Sequence, residues 1–185
     1  MREPCSGDVP DGTPDEERDY GSTMTTLEVL AAKDAITDAC LRYCRGIDRC
    51  DAELVKSSYH ADAYDDHGTF KGNAWEFADL ATQSLKRYLA TMHATMNHLI
   101  TEVDTVSGTA KGEIYVNAYH LREADGKKVV DVWWGRYIDE YSRKNGDWRI
   151  SSRVVVHEWT AQMPIEQAMP IPAEMFRPGS FDRNA

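Results

Sequence analysis

The sequence lacks the features of several large classes of protein. No apolar run approaches the roughly 20 residues that a membrane-spanning helix needs. Residues 1–21 hold no apolar core of a secretory signal, so we expect a cytoplasmic chain. Positive charge is scarce, because 21 Lys and Arg stand against 31 Asp and Glu, a net charge of -10. Since nucleic acids and anionic membranes bind basic faces, we expect neither as a partner.

Motifs for covalent and cofactor chemistry are also missing. The chain contains no G-x-S-x-G nucleophile motif, no phosphate-binding loop and no G-x-G-x-x-G. The four cysteines, Cys5, Cys40, Cys44 and Cys50, include no C-x-x-C zinc pair. We interpret them as reduced, mostly buried thiols, and we expect neither a metal nor a cofactor.

What remains is the composition of a globular protein. Of the 185 residues 42% are hydrophobic, with five Trp and nine Tyr, which is enough for one domain with a sizeable core. We assign residues 24–162 to that domain. Residues 1–23, rich in Asp, Glu, Pro and Gly, predict a disordered acidic leader. Residues 163–185 carry four of the seven prolines and predict an extended arm that packs on a neighbouring subunit.

The first half of the domain predicts helices and one hairpin. Thr25 and Glu28 fit a capping box, and apolar residues at helical spacing extend the first helix to about Gly46. Asp51 is a start signal for a short second helix that ends near Ser58. The segment ADAYDDHGTFKG then predicts a short hairpin, and NAWEFADLATQSLKRYLATM a third helix capped by Asn73.

The second half predicts four long strands. The hydrophobic period changes from 3.6 to 2 in MNHLITEVDTV, GTAKGEIYVNAYHLRE, KKVVDVWWGRYIDEYSRK and DWRISSRVVVHEWT. The dipeptides SG, DG and NG between them mark hairpin turns. Helices followed by a meander predict an α+β fold, in which a cone-shaped, curved antiparallel sheet carries the helices on its concave face. Such a cone can hold an apolar pocket.

One acid and one histidine are the main candidates for chemistry. Asp48 stands next to Ile47 at the end of the first helix, and burying it requires a partner. His93 lies where the third helix gives way to the first long strand. Period two places Asn97 on the face of His93 and His98 on the other, so one histidine should face the pocket. A histidine held by a carboxylate is a general base near neutral pH and needs no cofactor.

Other polar and aromatic residues are candidates on weaker grounds. Arg153 shares a strand face with Arg149 and His157, and is either solvated or a buried cation awaiting an anion. Trp133 and Trp134 point to opposite faces, so one of them should line the cavity. The remaining pocket candidates are Tyr64, His67, Tyr115, Tyr119 and His157.

From about residue 25 to 160, the chain resembles the SnoaL-like branch of the nuclear-transport-factor-2-like superfamily. The segments that carry the resemblance are RYCRGIDRCD, YHADA with HGTFKG, HATMN, and GRYIDEYSRKNGDWRISSR. Within that superfamily it resembles hexachlorocyclohexane dehydrochlorinase, bile-acid 7α-dehydratase and, more distantly, scytalone dehydratase, which are cofactor-free lyases. The resemblance implies the cone-shaped α+β fold and a homo-oligomer, a dimer or trimer.

The resemblance also implies roles for four residues. The family's helix-end Asp corresponds to Asp48, and its strand His to His93, with Asn97 following. An arginine in the last strand corresponds to Arg153, and a tyrosine five residues before the Asp corresponds to Tyr43. These matches imply a lyase in which an Asp–His pair abstracts a proton from a small hydrophobic substrate, while Tyr43 and Arg153 stabilise the leaving oxygen or halide, or a developing oxyanion. The bulk of Trp133 and Trp134 favours an aromatic substrate.

Three kinds of elimination fit these residues: loss of water, of hydrogen halide, or of formaldehyde by a retro-aldol step. Two other readings stay open. The superfamily also contains non-catalytic small subunits of ring-hydroxylating dioxygenases and ligand-binding modules, as well as ketosteroid isomerases and polyketide cyclases. Fold alone does not choose among them.

Overall fold

A computed structural model describes residues 26–166, 170–177 and 179–181. Its first helix, α1, spans Leu27–Asp48 and is capped by Thr26, whose hydroxyl accepts a hydrogen bond from the Val29 N–H. The predicted cap, Thr25, lies outside the described residues. A short helix, α2, spans Ala52–Lys56 and is capped by Asp51, as the sequence predicts.

The predicted hairpin and third helix follow. Strand β1 spans Tyr59–Asp66 and pairs with β2, Lys71–Asn73, in antiparallel register. Asn73 caps α3, which spans Ala74–Leu85, by accepting hydrogen bonds from two backbone N–H groups. The prediction that this helix runs to residue 92 is wrong, because the first long strand already begins at Ala90.

Four long strands form the rest of the domain: β3 (Ala90–Asp104), β4 (Thr109–Ala124), β5 (Lys127–Lys144) and β6 (Asp147–Pro164). Two of the turns between them need positive φ angles, which Asp125–Gly126 and Asn145–Gly146 supply. A 3-10 turn, Ala173–Met175, follows.

The strands make one curved, unclosed sheet in the order β2-β1-β6-β5-β4-β3. The predicted α+β fold is confirmed, with one difference: β1 pairs with β6 in parallel, so the sheet is mixed and has six strands. The core lies between its concave face and α1, where Ile36, Cys40, Tyr43 and Ile47 are buried.

Irregularities in the long strands change which side chains face the core. The pairing of β3 with β4 shifts between Met96 and Leu99, where Asn97 has a φ of 49°. The pairing of β5 with β6 shifts at two places, beside Trp134 and beside Glu140. Each extra residue reverses the in–out alternation. Faces assigned by strict period two are therefore wrong beyond each shift.

Two predictions concern the ends of the chain. The acidic leader, residues 1–23, lies outside the described residues. The Pro-rich arm is described in part, and its described side chains are mostly exposed. Within the part of the chain that the structure describes, no helix is long and apolar enough to cross a membrane.

Candidate active site

Asp48 and His93 meet at the junction of α1 and β3. The ring Nδ1 of His93 lies 2.7 Å from Asp48 Oδ1, and the His93 backbone N–H donates to Asp48 Oδ2 at 2.9 Å. The hydroxyl of Thr91 donates to Oδ1 at 3.0 Å. Because β3 is the last strand of the sheet, N–H groups on its outer edge are free to bind this carboxylate. The side chain of Asp48 is 15% exposed and that of His93 is 9% exposed.

The surroundings of Asp48 keep it ionised. Burial alone would raise the pKa of its carboxyl, but hydrogen bonds from the His93 ring, the His93 backbone and Thr91 bring that pKa below its ordinary value. A carboxylate accepts from the His93 Nδ1–H, which leaves the lone pair on Nε2. Nε2 is then the nitrogen that faces the cavity lined by His93, and it can accept a proton there.

That cavity has a volume of about 470 Å³ and lies between the sheet and the helices α1 and α3. A space of this size suits a small organic molecule. Its apolar wall consists of Ile47, Phe77, Ala81, Leu85, Ala118, Trp133 and Val155. Its polar groups are Tyr43, His67, Thr69, Ser84, Arg87, His93, His120 and Tyr137.

Two of these polar groups are tyrosines that stay protonated. Burial is the main factor that raises the pKa of Tyr43, and neighbouring tyrosines add to it. Burial raises the pKa of Tyr137 as well. Neutral, buried phenols are hydrogen-bond donors to any negative charge that develops on a bound molecule.

His120 is a cavity residue that sequence reasoning missed. Its ring centroid lies 5.5 Å from that of His93, nearly perpendicular to it. Burial and the nearby His93 lower the pKa of His120 to about 4, so its ring is neutral at pH 7. The signal available in the sequence was its even-numbered position in β4, the parity of the buried residues Ile114, Val116 and Ala118.

The structure places Arg153 behind the cavity and not among its lining residues. Its side chain is fully buried and forms a two-pronged ion pair with Asp139, at 2.8 Å and 2.6 Å. Its guanidinium lies 4.3 Å from the ring centre of Tyr43 and 4.0 Å from that of Tyr137. Arg153 is thus the buried cation with an anion, and it reaches the cavity only through these tyrosines. Arg153 is not among the residues that line the cavity, and its implied role in stabilising a leaving group stays a prediction.

The other sequence candidates divide into two groups. Trp133 and His67 line the cavity, whereas Trp134 stacks on Trp159 at 3.4 Å between ring centres, on the opposite face of the sheet. Those that do not line it are Asn97, Tyr64, Tyr115, Tyr119 and His157.

Strand geometry explains each of these misses. Tyr115 and Tyr119 share a face, but it is the convex one, and Tyr64 is also exposed on β1. Asn97 is the extra residue at the β3 shift and is exposed. His157 packs on Trp133 with 6.2 Å between ring centres but is exposed.

The register shift in β3 also overturns the prediction that His93 and His98 face opposite sides of the sheet. His98 does not point to the opposite face from His93, because the extra residue at Asn97 restores it to the helix side. Its Nε2 lies 3.3 Å from the Tyr141 hydroxyl, and it lines a separate cavity of about 230 Å³.

Three of the four cysteines lie among the described residues, where Cys50 is half-buried, and Cys5 lies outside them. Cys40 and Cys44 are buried and unbridged, and burial raises the pKa of each to about 12. Among the described residues, no group of three or more His, Cys, Asp or Glu is arranged to hold a metal ion.

Comparisons with known proteins agree with this architecture. A model of the SnoaL-like domain matches residues 28–154. No protein of curated function matches the chain. A hexachlorocyclohexane dehydrochlorinase from Novosphingobium barchaimii LL02 is similar in structure, with a TM-score of 0.64 and 21% identity over 79% of this chain and 98% of that one.

Two similar structures come from Novosphingobium aromaticivorans DSM 12444. One is a candidate scytalone dehydratase, with a TM-score of 0.64 and 19% identity over 78% of this chain and 96% of that one. The other is the beta subunit of a candidate aromatic-ring-hydroxylating dioxygenase, with a TM-score of 0.56 and 18% identity over 70% and 91%. Identities this low show a shared fold. Since the SnoaL-like model covers more than half of the sequence, the chain belongs to the SnoaL-like domain family of the nuclear-transport-factor-2-like superfamily.

Proposed function

We propose that this chain is a cofactor-independent lyase that removes a proton and a leaving group from a small hydrophobic, aromatic substrate. The observation that carries the proposal is the Asp48–His93 pair on the wall of an apolar cavity. A histidine whose Nδ1 is held by a carboxylate presents a basic Nε2, and the carboxylate stabilises the imidazolium that forms.

The remaining cavity groups support the second half of such a reaction. As the proton leaves for His93, negative charge develops on the substrate or on the departing atom. The phenols of Tyr43 and Tyr137 are protonated and line the same cavity, so they can donate hydrogen bonds to that charge. The bulk of Trp133 favours a flat substrate. Water is the leading leaving group, with halide and formaldehyde as the others.

The test is a panel of hydroxylated and halogenated aromatic and alicyclic compounds, incubated without added cofactor and read by mass spectrometry. We expect wild type to convert at least one compound with loss of water, hydrogen halide or formaldehyde, and His93→Ala to be slower by on the order of 10³-fold. His98→Ala is the matched control, because His98 lies on the same strand but lines the other cavity. Equal turnover by wild type and His93→Ala would overturn the proposal.

A second candidate function is a non-catalytic subunit. The similarity to a dioxygenase beta subunit supports it, as do the exposed apolar residues Tyr115, Ile138 and Trp159 on the sheet. This function predicts no conversion of any compound and a stable complex with a larger oxygenase chain. Affinity purification from the native host, followed by identification of a stoichiometric oxygenase partner, would favour it over the lyase.

A further inference from the structure

A second Asp–His pair lies on the cavity wall and has no part in the proton abstraction proposed above. Asp65, fully buried on β1, accepts a hydrogen bond from the Tyr59 hydroxyl at 2.7 Å and another from the ring Nδ1 of His67. The other ring nitrogen of His67, Nε2, lies 3.1 Å from the hydroxyl of Tyr43. Tyr59, Asp65, His67 and Tyr43 thus form one hydrogen-bonded chain that ends in the cavity.

Aromatic packing fixes the side chains of this hydrogen-bonded series in one arrangement. The His67 ring stacks on Phe77 with 4.0 Å between ring centres. The Tyr43 ring meets Tyr59 and Tyr137 edge-on, at 5.9 Å and 5.7 Å. Side chains fixed in this way need little reorganisation when a proton moves along them. The order along the chain, carboxylate to imidazole to phenol, is that of a proton relay.

An elimination that expels hydroxide needs such a relay, whereas one that expels chloride does not. Hydroxide is a strong base and leaves readily only when its oxygen is protonated during C–O cleavage, and general acids supply this. Chloride is a weak base and leaves as the anion.

We propose that the Asp65–His67 pair is the proton source for the leaving group, acting through the Tyr43 hydroxyl, and that the substrate is therefore an alcohol that loses water. This inference rests on the proposed lyase function. His93 Nε2 takes the proton from carbon, and that C–H electron pair becomes the new C=C bond. The C–O bond breaks with its pair on oxygen, and the oxygen takes the Tyr43 proton. Tyr43 takes the Nε2 proton of the His67 imidazolium, which becomes neutral.

After release of water and alkene, solvent restores both histidines. His93 loses its extra proton to water and His67 regains one, so the cycle is balanced without an oxidant or a co-reactant. The scheme requires His93 neutral and His67 protonated at the start of each turnover. A bell-shaped dependence of rate on pH follows, in which the alkaline limb belongs to His67.

Charged groups of both signs surround His67. The carboxylates of Asp65 and Asp66 come from β1, which ends just before His67. The Arg153 guanidinium lies 4.3 Å from the ring centre of Tyr43, whose hydroxyl contacts Nε2 of His67. The full set facing His67 is Asp65, Asp66 and Tyr59 from β1, Tyr43 from α1, the uncharged Phe77 from α3, Tyr137 from β5 and Arg153 from β6, with Arg87, His93 and His120 lining the same cavity.

The experiment compares one alcohol with the chloride of the same carbon skeleton, both chosen from compounds that wild type converts. We expect His67→Gln to slow loss of water by on the order of 100-fold and loss of hydrogen chloride by less than about fivefold. We expect the alkaline limb to disappear from the pH profile for the alcohol in this variant. Tyr43→Phe, which removes only the hydroxyl, should slow loss of both water and hydrogen chloride, with the larger loss of rate for water, because Tyr43 also donates a hydrogen bond to the charge that develops in either reaction.

Controls separate this inference from the proposed function and from a folding defect. His60→Gln is the matched control, because His60 lies on β1, the strand that ends just before His67, and its ring donates to the Ser142 carbonyl away from the cavity. His93→Ala should slow both substrates alike, and its failure to do so would count against the lyase itself. Equal slowing of alcohol and chloride by His67→Gln, an alkaline limb that persists in this variant, or no slowing at all would overturn the relay while leaving the His93 result intact.

Discussion

Two neighbouring histidines in the cavity have opposite electrostatic surroundings. His93 is held by the Asp48 carboxylate at 2.7 Å, which stabilises a proton gained on the ring. His120, with its ring centre 5.5 Å away, is buried beside His93, and its pKa falls to about 4. His120 is therefore a neutral hydrogen-bonding group at pH 7.

The lowered pKa of His120 predicts a pH-dependent loss of stability. The unfolded chain binds a proton on this residue below about pH 6.5 and the folded chain only below about pH 4, so stability falls as pH is lowered through that window. The pKa difference corresponds to up to about 3 kcal/mol. We expect His120→Gln to lose less unfolding free energy than wild type between pH 7 and pH 4, measured by urea denaturation at several pH values. Parallel curves for the two proteins would contradict this assignment.

At the level of single residues, the sequence predicts some partners and not others. Asp48 and His93 could be placed together because a buried acid needs a partner and the family resemblance names one. The Asp65–His67 pair could not, because His67 follows the end of β1 and the sequence does not show which way its ring turns there. His120 was missed because a lone histidine on a strand does not reveal its neighbours.

Irregularities in the long strands help to shape the cavity. Beside Trp134 the register of β5 against β6 shifts, and Gly135 stands at this point. A Cβ atom there would lie 2.2 Å from the Val156 carbonyl oxygen and 2.3 Å from the Trp133 ring. Glycine is thus required here by close approach, and it lets Trp133 lie against the cavity.

We expect Gly135→Ala to destabilise the protein by about 1–3 kcal/mol, because the added methyl group must displace Val156 or the Trp133 ring. The displaced indole should also change the near-ultraviolet circular dichroism. Gly126→Ala is the matched control, because Gly126 lies in a turn where an added Cβ atom would meet no atom within 4 Å. Its φ of 73° should make the substitution cost about 1 kcal/mol of stability. The near-ultraviolet spectrum of this variant should be unchanged. Identical spectra for the two variants would contradict the proposed contact with Trp133.

Element types were predictable, and the faces of the strands were only partly so. The change of hydrophobic period from 3.6 to 2 gives the helices and the four long strands, and Asn73 and Asp51 give their start signals. Strict period two fails beyond Asn97 and on β6, because an extra residue at a bulge reverses the alternation. Nothing in the local pattern marks those positions before the strand partners are known.

Across the whole molecule, one buried ion pair connects the sheet to the helix above it. Arg153 on β6 and Asp139 on β5 are directly opposite in register and almost wholly buried. The Arg153 guanidinium also lies against the rings of Tyr43, Tyr59 and Tyr137, which come from three different elements. Burial of the guanidinium favours its neutral form, but the Asp139 carboxylate raises the pKa of Arg153 well above the ordinary value, so the cation persists.

This arrangement predicts strongly non-additive effects on stability. Asp139→Asn leaves a buried cation without its anion and should cost about 3–5 kcal/mol of unfolding free energy. Arg153→Met combined with Asp139→Leu removes both charges, and we expect that double variant to lie within about 2 kcal/mol of wild type. Urea denaturation of the single and double variants forms the cycle. A double variant that loses the sum of the single effects would show that the pair does not act as a unit.

At the scale of the fold, the α+β class and the concave pocket followed from helices preceding a meander of long strands. The parallel β1–β6 pair was not foreseen, because only adjacent hairpins have a local signal and this pair joins strands more than 80 residues apart. This pairing of β1 with β6 places Asp65 opposite Arg153 in register and brings His67 to the cavity.

The central claim is that His93, held by Asp48, is the base of an elimination. Its most direct test is the single-turnover rate of wild type, His93→Ala and Asp48→Asn on one converted compound, with melting temperatures measured to confirm folding. The account predicts losses on the order of 10³-fold for His93→Ala and about 10²-fold or more for Asp48→Asn. Rates within tenfold of wild type in the folded His93→Ala protein would contradict it.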